Sequence, residues 1–178
     1  MVIMSSYSLF TLLILLVAIE RIVELVVSKR NLRWSFDQGG VEFGRSHYKY
    51  MVALHVFLLS GCLIEVWVLR PTISPLFSWV MFVLALASQA LRWWCIGTLG
   101  KRWNTLVVII PSLPAINTGP YKWFKHPNYV AVVIEGLALP LVGSAWITAL
   151  TFSFLNIFVL TARLRAENAA LAMLPRQA

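Results

Sequence analysis

Charged residues, acidic residues and cysteines are all scarce in this sequence, and each shortage argues against a class of protein. Only 12% of the 178 residues are charged and 60% are hydrophobic, with a mean hydropathy of +0.79, which argues against a soluble globular domain. The two cysteines, Cys62 and Cys95, lie in separate apolar runs without a C-x-x-C spacing. A disulfide framework or a structural zinc site is therefore not expected.

The apolar residues divide into five segments of roughly bilayer length, and these predict five membrane-spanning helices. The segments cover residues 6–27, 51–69, 77–96, 129–143 and 145–163. The fourth is short and is followed by Gly143 and Ser144, so the last two helices are predicted to form a tight hairpin that is tilted or incompletely spanning. The predicted fold class is an all-α integral membrane protein, with a single membrane domain over residues 1–178.

The scarcity of acidic residues leaves a net charge of +8, from fifteen lysines and arginines against seven acids. Twelve of the fifteen basic residues fall on one side of the predicted membrane. They are Lys29, Arg30, Arg33, Arg45, Lys49, Lys101, Arg102, Lys122, Lys125, Arg163, Arg165 and Arg176. The positive-inside rule then predicts an outer N-terminus and a cytosolic C-terminus, in what we expect to be a bacterial inner (plasma) membrane. The charge is explained by topology, so no nucleic-acid partner is expected.

Residues 99–128, between the third and fourth segments, are too apolar and too rich in proline for a solvated linker. Four of the eight prolines of the chain lie here. Proline fixes the backbone and removes hydrogen-bond donors, so we expect an ordered, irregular segment. Such a segment leaves main-chain amides and carbonyls free to bind a ligand.

Two motifs in this half of the chain carry a family resemblance. The run GPYKWFKHPNY, Gly119 to Tyr129, resembles the GxYxWxRHPxY signature of the isoprenylcysteine carboxyl methyltransferase superfamily, and RLRAENAAL, Arg163 to Leu171, is similar to its C-terminal R-x-x-x-E-E-x-x-L. The resemblance implies an integral membrane enzyme that uses S-adenosylmethionine. It covers a methyltransferase core at residues 77–174, whereas residues 1–76 correspond to the variable N-terminal spans.

The stretch LGKRWNT and Glu135 look most like the small bacterial members that accompany type III polyketide synthases. Those enzymes methylate hydroxyl groups of alkylpyrones or alkylresorcinols. The resemblance therefore implies an S-adenosylmethionine-dependent O-methyltransferase. Its acceptor would be an amphipathic, lipid-like molecule at the cytosolic interface of the bilayer.

The motifs also imply a set of cofactor-binding residues, which lie around the HPxY run and at the end of the last span. They are Leu113, Ala115, Ile116, Tyr121, His126, Pro127, Asn128, Tyr129 and Glu167. Relatives often carry a histidine near position 113, and Asn168 replaces the second glutamate of the family pair. His126 could act as a general base, but a histidine that precedes proline at a helix start suits a positioning role better.

On the acceptor side, the resemblance assigns Arg163 to orienting an anionic acceptor oxygen. Arg163 and Glu167 are four residues apart and can meet on one helix face, so an interfacial salt bridge is the alternative. Glu135, an intramembrane carboxylate, is a candidate base or a packing partner. Arg92 could bind the acceptor, with Gln89 one turn earlier, or cap its helix against headgroups.

The remaining ionisable residues in the spans are interpreted as structural. Arg21 is expected to pair with Glu24, and Glu20 is expected to have a different partner. Glu65 is expected to pair with a group on another helix. His47 and His55 lack partners at metal-ligand spacing, so no metal is expected.

Rival functions stay open at this point. Isoprenylcysteine carboxyl methylation or phospholipid N-methylation would use the same cofactor site with another acceptor. Membrane sterol reductases, which use NADPH, share a similar GPYxxxRHPxYxG run, but Val130 and Ala131 stand here near the usual glycine position. A non-enzymatic membrane protein would explain the intramembrane charges but not the two motifs.

Overall fold

The computed structural model describes residues 2–174, with side chains for residues 6–45 and 47–174. Within this range the chain forms five helices, and their bounds are α1 (Val2–Asp37), α2 (Arg45–Leu69), α3 (Pro75–Leu99), α4 (Pro127–Val142) and α5 (Trp146–Leu171). The all-α membrane fold predicted from the sequence is thereby confirmed. Arg176, counted above on the cytosolic side, lies outside the described residues.

Three of the described helices are long and apolar enough to cross a membrane: His47–Leu69, Pro75–Arg102 and Trp146–Leu171. Helix α4 has 16 residues, so it is about 24 Å long and shorter than the hydrocarbon core of roughly 30 Å. Large apolar side chains such as Val68, Leu76 and Leu150 are exposed on the outer faces. Exposed apolar faces of this kind suit contact with lipid.

The turn between α4 and α5 closes the predicted hairpin, and a carboxylate from α2 holds it. Ser144 takes a left-handed backbone conformation with φ of 57°. Glu65 of α2 accepts hydrogen bonds from the main-chain nitrogens of Ile147 (2.9 Å) and Thr148 (2.7 Å) and from the Thr148 hydroxyl (2.8 Å). Glu65 therefore satisfies donors in the first turn of α5, which have no partner within that helix. This is the interhelical pairing expected for it.

One apolar core ties four of the helices together. It includes Ile14 of α1, Leu58 of α2, Leu139 of α4 and Phe152 of α5, all nearly inaccessible. Gly136 of α4 lies so close to Phe152 that a Cβ there would stand 2.0 Å from the ring. The absent side chain at position 136 therefore lets α4 and α5 pack against each other.

Two features differ from the prediction. A two-stranded antiparallel sheet pairs β1 (Val41–Phe43) with β2 (Val107–Ile109), in the register Val41 to Ile109. Helix α1 continues to Asp37, beyond the predicted end at residue 27, and α2 begins at Arg45 instead of residue 51. Strands of three residues are too short to show a period, and hydropathy marks where lipid begins and not where a helix ends.

The proline-rich segment is ordered, as expected, because α1 and its own side chains hold it. It contains two 3₁₀ turns, Gly100–Arg102 and Gly119–Lys122, with β2 between them. Asn31 of α1 donates to the carbonyls of Gly100 (3.2 Å) and Trp103 (2.8 Å). Arg102 donates to the carbonyl of Pro114 at 2.7 Å. These contacts fix the segment across the end of the helix bundle.

The contacts of Glu65 generate a stability prediction. Glu65→Ala leaves two main-chain donors of α5 without their acceptor, so we expect the free energy of unfolding to fall by about 1–2 kcal/mol. Reversible unfolding in mixed micelles measures this loss. Ile64→Ala is the matched control, because the Ile64 side chain is exposed to lipid. Equal effects of the two substitutions would contradict a capping role.

Candidate functional site

Two cavities lie side by side at the end of the bundle where the proline-rich segment packs. The larger cavity has a volume of about 520 Å³ and is walled by the proline-rich segment, β2 and the end of α5. The smaller cavity, of about 180 Å³, lies among the helices and is lined by residues of all five. Asn104 borders both. The two cavities therefore meet at the start of the proline-rich segment.

The larger cavity gathers five of the nine residues that the motifs assigned to the cofactor. These are Leu113, Ala115, Ile116, Tyr121 and Glu167. Its polar lining also includes residues that the sequence analysis did not assign to the cofactor, namely Ser35, Arg102, Asn104, Asn117 and Lys125. Within the described residues, the buried Oδ1 of Asn104 has no hydrogen-bond partner. The wall thus combines an apolar surface with carboxylate, amide and basic groups.

A chain of hydrogen bonds runs from the larger cavity to the smaller one. His126 donates from Nδ1 to Glu167 at 3.1 Å, and the Tyr129 hydroxyl donates to the other oxygen of Glu167. Arg163 Nε donates to the same Tyr129 hydroxyl at 2.9 Å. His126 also stacks on Tyr129, with the ring centroids 5.4 Å apart. Three residues assigned to the cofactor are therefore joined to Arg163.

The expected direct contact between Arg163 and Glu167 does not form among the described side chains. The Tyr129 hydroxyl lies between them, because the start of α4 packs against the end of α5 at this level. Arg163 instead donates from Nη1 to the carbonyl of Thr105 at 2.6 Å. The guanidinium is buried, with 8% of the residue exposed, so an interfacial salt bridge is not its role.

Both ring nitrogens of His126 face oxygen atoms. Nδ1 lies against Glu167, and Nε2 lies 3.0 Å from Oδ1 of Asn168, the residue that replaces the second glutamate of the family motif. The hydrogen bond to Glu167 raises the pKa of His126, even though burial opposes the charged form. A protonated imidazole has no free lone pair. This geometry favours positioning of Glu167 over general-base chemistry.

Tyr121 and Pro127 support the walls. Tyr121 lines the larger cavity, and burial raises the pKa of its hydroxyl above the usual range, so the hydroxyl stays protonated. Pro127 is fully buried at the first position of α4, where no intrahelical donor is needed. The HPxY run thus starts a helix and places Asn128 and Tyr129 in the wall of the smaller cavity.

The smaller cavity contains both arginines assigned to the acceptor. Arg163, Asn128 and Tyr129 line its side nearest the proline-rich segment. Arg92 lines it together with Arg21 and Glu24 of α1. The rest of its lining is largely apolar and comes mainly from α2 and α5. A polar head group with an alkyl chain suits such a lining.

Glu135 is not brought to either of these two cavities. One of its oxygens receives Arg92 Nη2, and the other lies 3.1 Å from Arg21 and 3.4 Å from Gln89. Both oxygens are therefore engaged by side chains of α1 and α3, and Glu135 as a base stays an untested prediction. Of its two interpretations, the geometry supports the packing partner.

The α1 charges also differ from expectation in one respect. Arg21 pairs with Glu24 at 2.7 Å, as predicted, but its long side chain also reaches Glu20 at 3.4 Å. Glu20 in addition receives Gln89 Nε2 at 2.7 Å and the indole nitrogen of Trp93. Glu20, Arg21 and Glu24 therefore belong to one network with α3 and α4.

Some cavity residues carried a weak signal in the sequence. His55 and Asn156 are polar residues within apolar spans, and both line the smaller cavity. Polar groups at membrane depth are costly, which is itself an indication of function. Tyr48 and Thr105 carried no such signal, because they lie close to the ends of the apolar runs.

The fold and cavities together define an integral membrane protein that brings a polar cavity against one embedded among its helices. The chain belongs to the isoprenylcysteine carboxyl methyltransferase family, whose model matches residues 79–173. Family membership makes it a membrane methyltransferase, and enzymes of this family generally use S-adenosylmethionine.

Two relatives match nearly the whole chain. The chain is 37% identical over 164 residues to the uncharacterized protein YpbQ of Bacillus subtilis (strain 168), covering 91% of this chain and 96% of that protein. It is 23% identical over 155 residues to an uncharacterized protein of Haemophilus influenzae, covering 86% and 90%. No solved structure matches the chain at a significant level.

The raised pKa of His126 generates a pH prediction. Its pairing with Glu167 contributes stability that is complete below about pH 6.5, the ordinary histidine pKa, and is lost as the pH rises through the raised pKa of the folded state. Thermal unfolding in detergent, followed from about pH 6 to pH 8, measures this loss. His126→Gln should remove that part of the pH dependence. Parallel profiles for the two proteins would contradict the assignment.

Proposed function

We propose that this protein is an S-adenosylmethionine-dependent O-methyltransferase that acts on an amphipathic acceptor at the cytosolic face of the membrane. One observation carries the proposal. A cavity of cofactor size with polar groups on its wall meets a cavity among the helices, and the Glu167–Tyr129–Arg163 chain lies between them. A methyl donor from water and an acceptor from lipid can therefore approach each other from opposite sides.

The larger cavity fits S-adenosylmethionine in size and chemistry. Its volume of about 520 Å³ lies in the usual range for small-molecule sites. Glu167 suits the ribose hydroxyls or the ammonium group, and Lys125 suits the carboxylate. The unpartnered Oδ1 of Asn104 offers a further acceptor. Leu113, Ala115 and Ile116 provide an apolar surface for the adenine ring.

The bound cofactor supplies a methyl group on a sulfonium, which is open to attack by an oxygen nucleophile. The protein aligns that oxygen and excludes water. Arg163 is placed to do so, since its guanidinium is buried, held by Tyr129 and Thr105, and lines the smaller cavity. A cation at that position stabilises a phenolate or enolate oxygen and lessens the need for a strong base.

The acceptor reaches the smaller cavity from the bilayer. Leu25 of α1 and Val52 and Val56 of α2 line the cavity and are also exposed on the outer surface. An alkyl chain can leave the cavity between these two helices. The small volume, about 180 Å³, favours a compact head group such as the ring of an alkylpyrone or alkylresorcinol. Prenylcysteine and phospholipid amines are the alternative acceptors.

Topology completes the proposal. The distribution of basic residues supports a position of the proline-rich segment, and with it the larger cavity, on the cytosolic side of a bacterial inner membrane. S-adenosylmethionine is made in the cytosol, so the cofactor reaches the cavity without crossing the bilayer. The N-terminus is then outside.

Cofactor binding is the first test. Calorimetry on detergent-purified protein should show binding of S-adenosylmethionine and none of NADPH. Glu167→Ala should weaken the binding of S-adenosylmethionine at least about tenfold, because it removes a charged hydrogen-bond acceptor. Glu42→Gln is the control, since this carboxylate lies on β1 next to Arg45 and outside both cavities. Undetectable methyl-donor binding by the wild-type protein would overturn the proposal.

Arg163 is tested separately by transfer of labelled methyl groups to an alkylresorcinol. Arg163→Lys keeps the charge but has all its donors on one nitrogen and loses the separate Nε and Nη1 positions, so we expect the rate to fall about a hundredfold. Binding of S-adenosylmethionine should change little. Prenylcysteine and phosphatidylethanolamine are assayed in parallel. Labelling of either of these with none of the alkylresorcinol would contradict the proposed acceptor.

A further inference from the structure

A network of buried charges closes the smaller cavity on the side away from the proline-rich segment. It joins α1, α3 and α4 and contains three carboxylates, Glu20, Glu24 and Glu135, against two guanidinium groups, Arg21 and Arg92. The side chains of Glu24 and Arg92 are each only 6% exposed. Burying so many charges is costly and stabilises a fold poorly compared with apolar packing. The cost of this network points to a role beyond packing.

The three carboxylates are not equivalent. Both oxygens of Glu135 and both oxygens of Glu20 receive hydrogen bonds from side chains of α1 or α3. Glu24 uses only Oε2, which receives Arg21 Nη1 at 2.7 Å. In the described part of the chain, Glu24 Oε1 has no hydrogen-bond partner, and neither has Arg92 Nε, which lies 3.9 Å from it.

The unused acceptor and the unused donor thus lie next to each other, on two residues that line the smaller cavity. An unsatisfied charged group in the interior costs free energy unless a partner arrives from elsewhere. A hydroxyl group can both donate to a carboxylate oxygen and accept from a guanidinium nitrogen. A hydroxyl is therefore the simplest single group that can hydrogen-bond to both Glu24 Oε1 and Arg92 Nε, after a small shift of these two side chains.

Arg163 and the Glu24–Arg92 pair line different parts of the smaller cavity. Ser28 of α1 lies 2.9 Å from the Thr105 hydroxyl, and the Thr105 carbonyl receives Arg163. Glu24 precedes Ser28 by four residues, so it lies about 6 Å further along α1. A molecule in the smaller cavity can therefore present one oxygen near Arg163 and a second oxygen near Glu24.

Resting on the proposed function, we propose that Glu24, with Arg92 beside it, is a recognition subsite for a second, hydrogen-bond-donating oxygen of the methyl acceptor. The acceptor class is then an alkylated ring that carries two oxygens, of which one is methylated near Arg163 and the other is held at Glu24. Arg21 holds Glu24 in place. Glu20 belongs to the same network but does not line either cavity described above.

The test compares two probes with the same pentadecyl chain, an alkylresorcinol and the meta-alkylphenol that lacks one hydroxyl. Binding to wild-type protein in nanodiscs is measured by quenching of tryptophan fluorescence. We expect the resorcinol to bind at least about tenfold more tightly, which is the effect of one hydrogen bond to a charged group. Glu24→Gln should reduce this preference to less than about threefold, and Glu20→Gln should retain it.

The outcomes separate this subsite from the proposed function. Equal binding of the two probes by wild-type protein, binding of neither, or an unchanged preference in Glu24→Gln would each overturn the subsite. If Glu24→Gln fails to fold, the wild-type preference alone decides. A purely structural network predicts lower stability in Glu24→Gln with the same preference. Absence of S-adenosylmethionine binding by the wild-type protein would contradict the proposed function, whichever way the two probes behave.

Discussion

The structure depends on one constraint, which is that a charge in a low-dielectric bundle needs a partner at hydrogen-bond distance. The Tyr129 hydroxyl meets this constraint where Arg163 and Glu167 approach, since it accepts from the cation and donates to the carboxylate. Because one phenol serves both, the start of α4 is fixed against the end of α5. The same requirement gathers Arg21, Arg92 and Glu135 into a network between three helices.

The N-terminal helices are part of the site and not only of the scaffold. Helix α1 holds the proline-rich segment through Asn31 and Ser28, and β1 pairs with β2 beside the larger cavity. Helices α1 and α2 also line the smaller cavity. In this arrangement the motif-bearing half shapes the polar cavity, while the half outside the family match contributes much of the lipid-facing one.

The sequence predicted the five helices because lipid demands long apolar runs. Five of the nine residues that the motifs assign to the cofactor line the larger cavity, and their role there stays a prediction. The sequence could not predict that Tyr129 separates Arg163 from Glu167, since i and i+4 spacing does not show what a neighbouring helix inserts. Nor could it place Glu135. An intramembrane carboxylate signals a partner, but the identity of that partner depends on how α1, α3 and α4 pack. Asn104 lies in the LGKRWNT stretch, where the family resemblance does not indicate that this residue borders both cavities.

The contacts of Glu65 have a consequence for assembly in the membrane. Arg21 and Glu24 are three residues apart, so α1 carries its own neutralising pair as soon as it is synthesised. Helix α2 has no basic residue within one turn of Glu65, and the groups that satisfy this carboxylate follow 82 and 83 residues later in the chain. Glu65 therefore enters the bilayer before its partners exist. Insertion of the α4–α5 hairpin supplies the hydrogen-bond donors that Glu65 lacks until then. The hydrogen bonds formed at Glu65 therefore favour this last step of assembly.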